Sequence, residues 1–261
     1  MEAKDRSLVA SIKSIAHKAG TAILAHYGQA IPVESKSDNS PLTLADLASH
    51  RVIVEKLGEL DSGTPILSEE SEATPASERS DWRRFWLVDP MDGTKEFIKQ
   101  SGQFTVNIAL IEEGEPVLGV VYAPAIDLWY WATKEGGAFK SEGQAEGVEI
   151  KTAEPSASAL RIVASRDHAG PMVKDLFERF PGAEGTSMGS SLKFCLVAEG
   201  KADIYLRDVP TMEWDTGAAQ CIVEAAGGVV RDLEGQRLCY NKAVLRNPSI
   251  VTLGRGSFGW Q

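Results

Sequence analysis

Histidine and cysteine are scarce in this chain of 261 residues, with four of the first and three of the second. Cys195, Cys221 and Cys239 stand far apart without a CxxC spacing. That excludes a zinc-finger ligand set and a disulfide framework, and it fits reduced thiols in a cytoplasm. Cys195 and Cys221 fall in apolar helical patterns, which puts both in the expected core. His17, His26, His50 and His168 share no ligand spacing and read as surface or helix positions. Long apolar runs are also missing, so no transmembrane segment is expected, and the opening MEAKDRSLVASIKSIAHKAG lacks a signal peptide's apolar centre. Positive charge is short: 27 lysines and arginines against 37 acids leave a formal charge of −10. Without a basic stripe to release counterions, a nucleic-acid polymer is excluded as a partner. A small anionic ligand is not, because a few cations or bound metal ions reverse the field inside a cleft.

What is present is the composition of an ordinary globular protein, 43% hydrophobic and 25% charged. Leu8, Ile12, Ile15, Ala16, Ala19, Ile23, Leu24 and Tyr27 repeat with helical spacing, and Gly28 is placed to end that helix. SKSDNSPLT reads as a polar loop, after which Thr43 can cap a helix carrying Leu44, Leu47, Val54 and Leu57. PILSEES looks like a short strand running into two glutamates. FTVNIALIEEGEPVLGVVYAPAIDLWYWATKEGGAFK alternates β-rich runs with glycine turns, as a meander of antiparallel strands does. The loose segment around residues 153–159 divides the chain into halves 1–155 and 156–261, which are expected to close on each other as one compact unit. In the second half, Pro171 starts a helix, another runs from Ser191 to Glu199 and stops at Gly200, and ADIYLR, VVRD and SIVTL are strands. The fold class is α/β, with alternating helix and sheet layers.

Acidic residues cluster at the junctions of these elements. Glu69 and Glu70 follow PIL, Asp89 and Asp92 follow the apolar run FWLV, and Asp215 precedes the helix in WDTGAAQCIVEAAGG. Carboxylates at such ends can meet in one cleft, where repulsion is costly unless cations neutralise it. An oxygen-only set suits a hard cation such as Mg²⁺. Pro90 and Met91 would hold the two aspartates apart and leave the Met91 carbonyl as a further oxygen. Gly93 and Thr94 then open a helix whose first N–H groups suit a phosphate. Taken singly, each piece has a plainer reading: Glu69 as a solvated turn residue, Asp215 as an N-cap, Asp89-Pro90 as a turn starter.

In combination, LSEES, DPMDGT and WDTGAAQCIVEAAGG resemble the three metal-binding signatures of the inositol monophosphatase superfamily. SKSDNSPLTLAD, WLVDPMDGTKEFI, FTVNIALIEEGEPVLGVVYAP and GSSLKFCLVAEGKAD are similar to its 3′(2′),5′-bisphosphate nucleotidase branch in particular, so the likeness spans nearly the whole chain. DGTKEF in place of the DGTTNF common in inositol phosphatases points the same way. The resemblance implies that Glu69, Asp89, the Met91 carbonyl, Asp92 and Asp215 bind two or three Mg²⁺ ions. It implies that Thr94 and Glu69 orient and deprotonate the attacking water, with Asp46 as a second carboxylate nearby. On the residues alone, Asp46 is as readily a first-turn acid favoured by the helix dipole. The scissile phosphate would sit at Gly93 and Thr94. Ser190, Lys193 and Arg207 match positions that contact the nucleotide, although Lys193 and Arg207 read by themselves as surface charges. Glu213 sits where inositol-specific relatives often meet a sugar hydroxyl. Gly217 stands where relatives usually carry alanine, which would loosen the start of the helix after Asp215.

The activity so implied is Mg²⁺-dependent removal of the 3′-phosphate of adenosine 3′,5′-bisphosphate, and of its sulfated analogue, by a lithium-sensitive enzyme of sulfur metabolism. The implied place is the cytoplasm, and similar proteins have been assigned peripherally to the inner membrane face, for which no anchor is visible here. An inositol monophosphatase or sugar phosphatase is the alternative with the same chemistry, and Lys193 and Arg207 discriminate because a monophosphate needs no second anion site. A phosphate- or cation-binding protein without turnover would have no use for Glu69, Thr94 and Asp46 together. A regulatory partner working through its acidic surface lacks any charge block or amphipathic tail to do so. The oligomeric state is left open by the sequence.

Overall fold

The computed structural model describes residues 2–29, 33–35, 41–71, 74–156, 158–164, 170–256 and 259–260. In chain order, α1 (Ala3–Leu24) is followed by a short hairpin of β1 (Val33–Ser35) and β2 (Pro41–Thr43), then by α2 (Leu44–Leu60). A sheet of seven strands comes next, in spatial order β3 (Ile66–Ser68), β4 (Arg84–Asp92), β5 (Thr105–Glu112), β6 (Glu115–Ala123), β7 (Leu128–Thr133), β8 (Gly137–Glu142) and β9 (Val148–Ile150). Only β3 and β4 run parallel; the others form the antiparallel meander the sequence announces. The short helices α3 (Ala76–Arg79) and α4 (Thr94–Ile98) flank β4.

The second sheet mixes directions. β10 (Arg161–Ala164) lies parallel to both β11 (Glu184–Ser187) and β12 (Ile204–Arg207), while β13 (Val229–Asp232) and β14 (Ile250–Leu253) complete it antiparallel. Its helices are α5 (Pro171–Arg179), α6 (Leu192–Ala198) and α7 (Gly217–Ala225), the last preceded by a 3₁₀ turn, Glu213–Asp215.

Side-chain alternation explains how the layers stack. Along β4 the odd residues Phe85 and Leu87 share a core with α6, α7 and the second sheet, while the even residues Trp86 and Val88 share one with α1 and α2. A strand buried on both faces reads as a continuous apolar run, as FWLV does. A third core joins the far face of the second sheet to α5 through Leu160, Ile162, Ile204, Leu206, Val173 and Leu176. The order is therefore helix, sheet, helix, sheet, helix. α7 lies so close on β6 that a Cβ at Gly119 would overlap the Ala218 carbonyl oxygen.

Several expectations are corrected. α1 stops at Leu24, and a turn carries the chain on to Gly28 at φ 78°. The polar stretch 35–43 is not all loop, since Ser35 pairs with Pro41 and the strand continues to Thr43; its centre, 36–40, falls outside the described residues, as does His168. α2 turns Ala45, Asp46, Ser49, Ile53 and Leu57 to the core, whereas Leu44 is 49% exposed. Its polar residues are buried because partners await them: Ser49 Oγ donates to the Pro90 carbonyl at 2.7 Å. Gly217 does not loosen α7. It is buried in the first turn, where a Cβ would stand 2.8 Å from Leu87 Cδ2, so glycine lets the helix approach the sheet. β11, with all four residues exposed, carries no apolar alternation to announce it. Cys195 and Cys221 are buried as expected, and Cys239 is exposed. Among the described residues, no helix is long and apolar enough to cross a membrane.

Candidate active site

The strand β4 does not end at Val88 but runs on through Asp89, Pro90 and Met91 to Asp92. Asp89 pairs with Asn107 and Asp92 with Thr105, so three steps on β4 face two on β5. That one-residue bulge has a consequence for the carboxylates. In a regular strand, residues three apart point to opposite faces. The extra residue restores the phase, and both aspartates face the side of Thr105 and Asn107, toward α6 and the 3₁₀ turn. The Met91 N–H donates to Asp89 Oδ1 at 3.0 Å within the bulge.

Two further carboxylates reach the same side. Glu69 follows β3, and its N–H donates to the Val88 carbonyl at 3.1 Å, beside Asp89. Asp215 ends the 3₁₀ turn, where its Oδ2 accepts the Met212 N–H at 2.7 Å rather than capping α7. The four acids act on each other. Burial pushes the Asp89 carboxyl well above the ordinary range, and Glu69, Asp92 and Asp215 push it further. Asp215 is raised to about 8, first by burial, then by Asp92 and Glu69. Among the described residues, no three histidine, cysteine or acidic side chains form a group that would hold a metal ion by themselves, so the set converges without closing into a cage. Its chemistry nevertheless fits a hard cation: oxygen donors only, fully buried at Asp89 and partly at the other three, and mutually repelling until positive charge is supplied.

Asp46 reaches Thr94, next to Gly93 and Asp92, from α2. Its Oδ2 accepts the N–H and the hydroxyl of Thr43, each at 2.7 Å, while its Oδ1 accepts the Thr94 hydroxyl at 3.1 Å. The first-turn acid of α2 thus caps its own helix and also holds the first residue of α4. Gly93 precedes Thr94 at φ 94°, a left-handed conformation that glycine adopts without strain.

Beside the acids lies a cavity of about 120 Å³, lined among others by Asp92, Glu96, Lys193, Tyr205, Arg207 and Asp215. Lys193 is not a surface charge: it is 5% exposed, and its Nζ donates to the Ser190 carbonyl at 2.7 Å. Burial lowers its ammonium to about 8, and Arg207 adds to the fall, while Asp92, Glu96 and Asp215 oppose it. Ser190 sits at φ 43° with its hydroxyl 3.2 Å from Thr105 Oγ1.

Glu213 is in none of this. It is fully buried, its two oxygens accept the N–H groups of Asn241 and Lys242 at 2.7 and 2.9 Å, and Lys242 Nζ pairs with it at 2.7 Å. A saturated buried carboxylate anchors the 241–242 loop and has no face left for a sugar hydroxyl. Sequence reasoning passed over Ser191 and Asn107, which the site does bring together. The signal for Asn107 was a lone amide inside an otherwise apolar strand, FTVNIAL.

Residues 4–253 match the model of the inositol monophosphatase family, and the chain belongs to that family. It is 48% identical over 237 residues to the 3′(2′),5′-bisphosphate nucleotidase CysQ of Salmonella typhimurium, covering 89% of this chain and 94% of that protein. To the CysQ nucleotidase of Buchnera aphidicola it is 42% identical over 238 residues, covering 90% of this chain and 88% of that protein. Among solved structures, CysQ from Bacteroides thetaiotaomicron superposes with a TM-score of 0.84 at 39% identity, covering 96% of this chain and 98% of the other.

Proposed function

We propose that this chain is a phosphomonoesterase that removes the 3′-phosphate of adenosine 3′,5′-bisphosphate, giving AMP and phosphate, and likewise converts the sulfated analogue to adenylyl sulfate. The observation that carries the choice of a doubly phosphorylated substrate is the buried Lys193 ammonium in a cavity shared with Arg207, next to the carboxylate cluster. A monophosphate would leave the Lys193 ammonium with the Ser190 carbonyl as its hydrogen-bond acceptor and no phosphate of its own to bind. The near-full-length likeness to CysQ nucleotidases supports the same substrate.

In this reading Glu69, Asp89, the Met91 carbonyl, Asp92 and Asp215 would hold two or three Mg²⁺ ions. The ions would supply the positive charge that acidifies a water and neutralises the phosphoryl group. The chain's own residues do the rest. Asp46 accepts the hydrogen bond of the Thr94 hydroxyl, leaving the Thr94 oxygen to accept from the attacking water and so aim its lone pair. Glu69, at the cluster's edge, removes the proton. Gly93 and Thr94 bind the scissile phosphate, while Ser190, Lys193 and Arg207 bind the nucleotide's second phosphate. The halves 1–155 and 156–261 meet at this cleft, the second supplying Asp215, Lys193 and Arg207. The reading extends to lithium inhibition, to a role in sulfur metabolism and to a cytoplasmic place, peripheral on the inner membrane face without a spanning helix.

The test is phosphate release from adenosine 3′,5′-bisphosphate and from inositol 1-phosphate, with Mg²⁺ and with chelator. Preference for the nucleotide by at least about tenfold in kcat/KM, lost in chelator, is expected from one charged contact that the monophosphate lacks. Equal or better turnover of inositol phosphate overturns the substrate and moves the site to an inositol or sugar phosphatase.

A further inference from the structure

A hydrogen-bond chain through Asn107, Ser191 and Asp92 ties together elements that the sequence keeps far apart. Asn107 Nδ2 donates to Ser191 Oγ at 2.9 Å. Ser191 Oγ lies 2.7 Å from Asp92 Oδ2 and 3.2 Å from the Asp215 carbonyl oxygen. An amide nitrogen can only donate. Its bond therefore occupies a lone pair of Ser191 and commits the hydroxyl proton to the far side. There the nearer and charged acceptor is the Asp92 carboxylate. Ser191 and Asn107 are 1% and 2% exposed, so water does not substitute for either. Among the described residues, the amide oxygen of Asn107 has no hydrogen-bond partner. Turning the amide round would spend the Ser191 proton on Asn107 and leave Asp92 without its donor.

We propose that Asn107 and Ser191 are positioning residues that fix the Asp92 carboxylate through this one-way chain, holding it against the repulsion of Asp89 and Asp215. The inference rests on the reading of Asp92 as a cation ligand. Ser191 leads into α6, and Asn107 lies on β5, so the setting of Asp92 depends on the two halves being closed on each other. A carboxylate free to rotate would have to be ordered anew each time a cation binds, and the loss would fall on cation affinity and kcat rather than on nucleotide binding.

The test compares wild type with Ser191→Ala and with Asn107→Leu, which removes the donor while keeping the branched outline of the side chain. Three quantities are measured: Mn²⁺ affinity by electron paramagnetic resonance without nucleotide, melting temperature, and kcat with KM for the bisphosphate. Ser191→Ala is expected to weaken Mn²⁺ binding and lower kcat by about 10- to 100-fold, with KM within about threefold of wild type. Asn107→Leu is expected to move both in the same direction by a smaller factor, and it keeps the test alive should the first variant misfold. A variant that lowers only the melting temperature, with Mn²⁺ affinity and kcat at wild-type values, overturns the proposal and leaves Ser191 a packing residue. The proposed substrate is judged on wild-type turnover alone, so its failure is told apart from failure of the chain, which is read from Mn²⁺ affinity ratios. Wild-type protein that binds no Mn²⁺ contradicts both.

Discussion

Asp89 and Asp92 face the same side of the sheet although they stand three positions apart on one strand, because the bulge opposite Asn107 and Thr105 adds a residue to the count. The arrangement forces like charges together, so it is destabilising until a cation arrives. Asp89→Asn is therefore expected to melt higher than wild type in chelator and to gain nothing from added Mg²⁺, which raises the wild type. Each kcal/mol of relieved repulsion corresponds to about 2–4 °C in a chain of this size. Thermal melts of both proteins with and without Mg²⁺ decide it; an unaltered Mg²⁺ gain in the variant would contradict the cluster's role.

The same repulsion has a pH signature. Asp215 is raised to about 8 and Asp89 is raised as well, whereas an unfolded aspartate titrates near ~3.9. Between those values the cation-free folded protein holds more protons than the unfolded chain, so its stability falls as pH rises. Above the histidine range and below the Lys193 value of about 8, from about pH 7 to 7.5, the melting temperature in chelator is expected to decline. Mg²⁺ should flatten the decline, so that the Mg²⁺ increment grows with pH. A melting temperature that climbs with pH in chelator would refute the assignment.

Thr94 donates to Asp46, and that direction matters. In Asp46→Asn the amide oxygen can still accept from Thr43, but the amide nitrogen then faces Thr94 and reverses the bond. Thr94 loses the lone pair meant for the water. The expected result is a fall in kcat of about 100-fold or more, with a stability loss of only about 1 kcal/mol from the weakened cap. Parallel kinetics and denaturant melts separate the two; a stability loss without a kinetic one would make Asp46 a cap alone.

Lys193 should discriminate substrates by their second phosphate. Lys193→Met is expected to raise KM for the bisphosphate by about 10- to 100-fold, the worth of one charged hydrogen bond, while changing monophosphate turnover little. With its ammonium near about 8, wild-type KM should also rise as pH climbs past that value, and the variant should lose this dependence. Equal effects on both substrates would place the cation elsewhere in the mechanism.

Much of the candidate site was legible because its motifs sit near element junctions: Glu69 follows β3, Asp92 ends β4, Thr94 opens α4 and Asp215 ends the turn before α7, while Asp89 lies inside β4 at the bulge. The meander and the stop of α6 before Gly200 followed from alternation and a left-handed glycine. What stayed hidden depends on partners distant in sequence. Nothing local says that Lys193 is buried, since its environment is built by Arg207, Glu96 and Tyr205 from other elements. The core face of α2 was misread because Ser49 and Asp46 are buried by virtue of acceptors and donors on Pro90 and Thr94. Glu213 matches a sugar-contacting position of relatives by sequence alone, while the 241–242 backbone that bonds both its oxygens lies far away along the chain.

The most direct measurement is the identity of the product when the wild-type chain is incubated with adenosine 3′,5′-bisphosphate and Mg²⁺, separated by chromatography and matched against standards. The account predicts 5′-AMP and one equivalent of phosphate, with no product in chelator. Release of the 5′-phosphate, leaving adenosine 3′-phosphate, or turnover that persists in chelator, would contradict it.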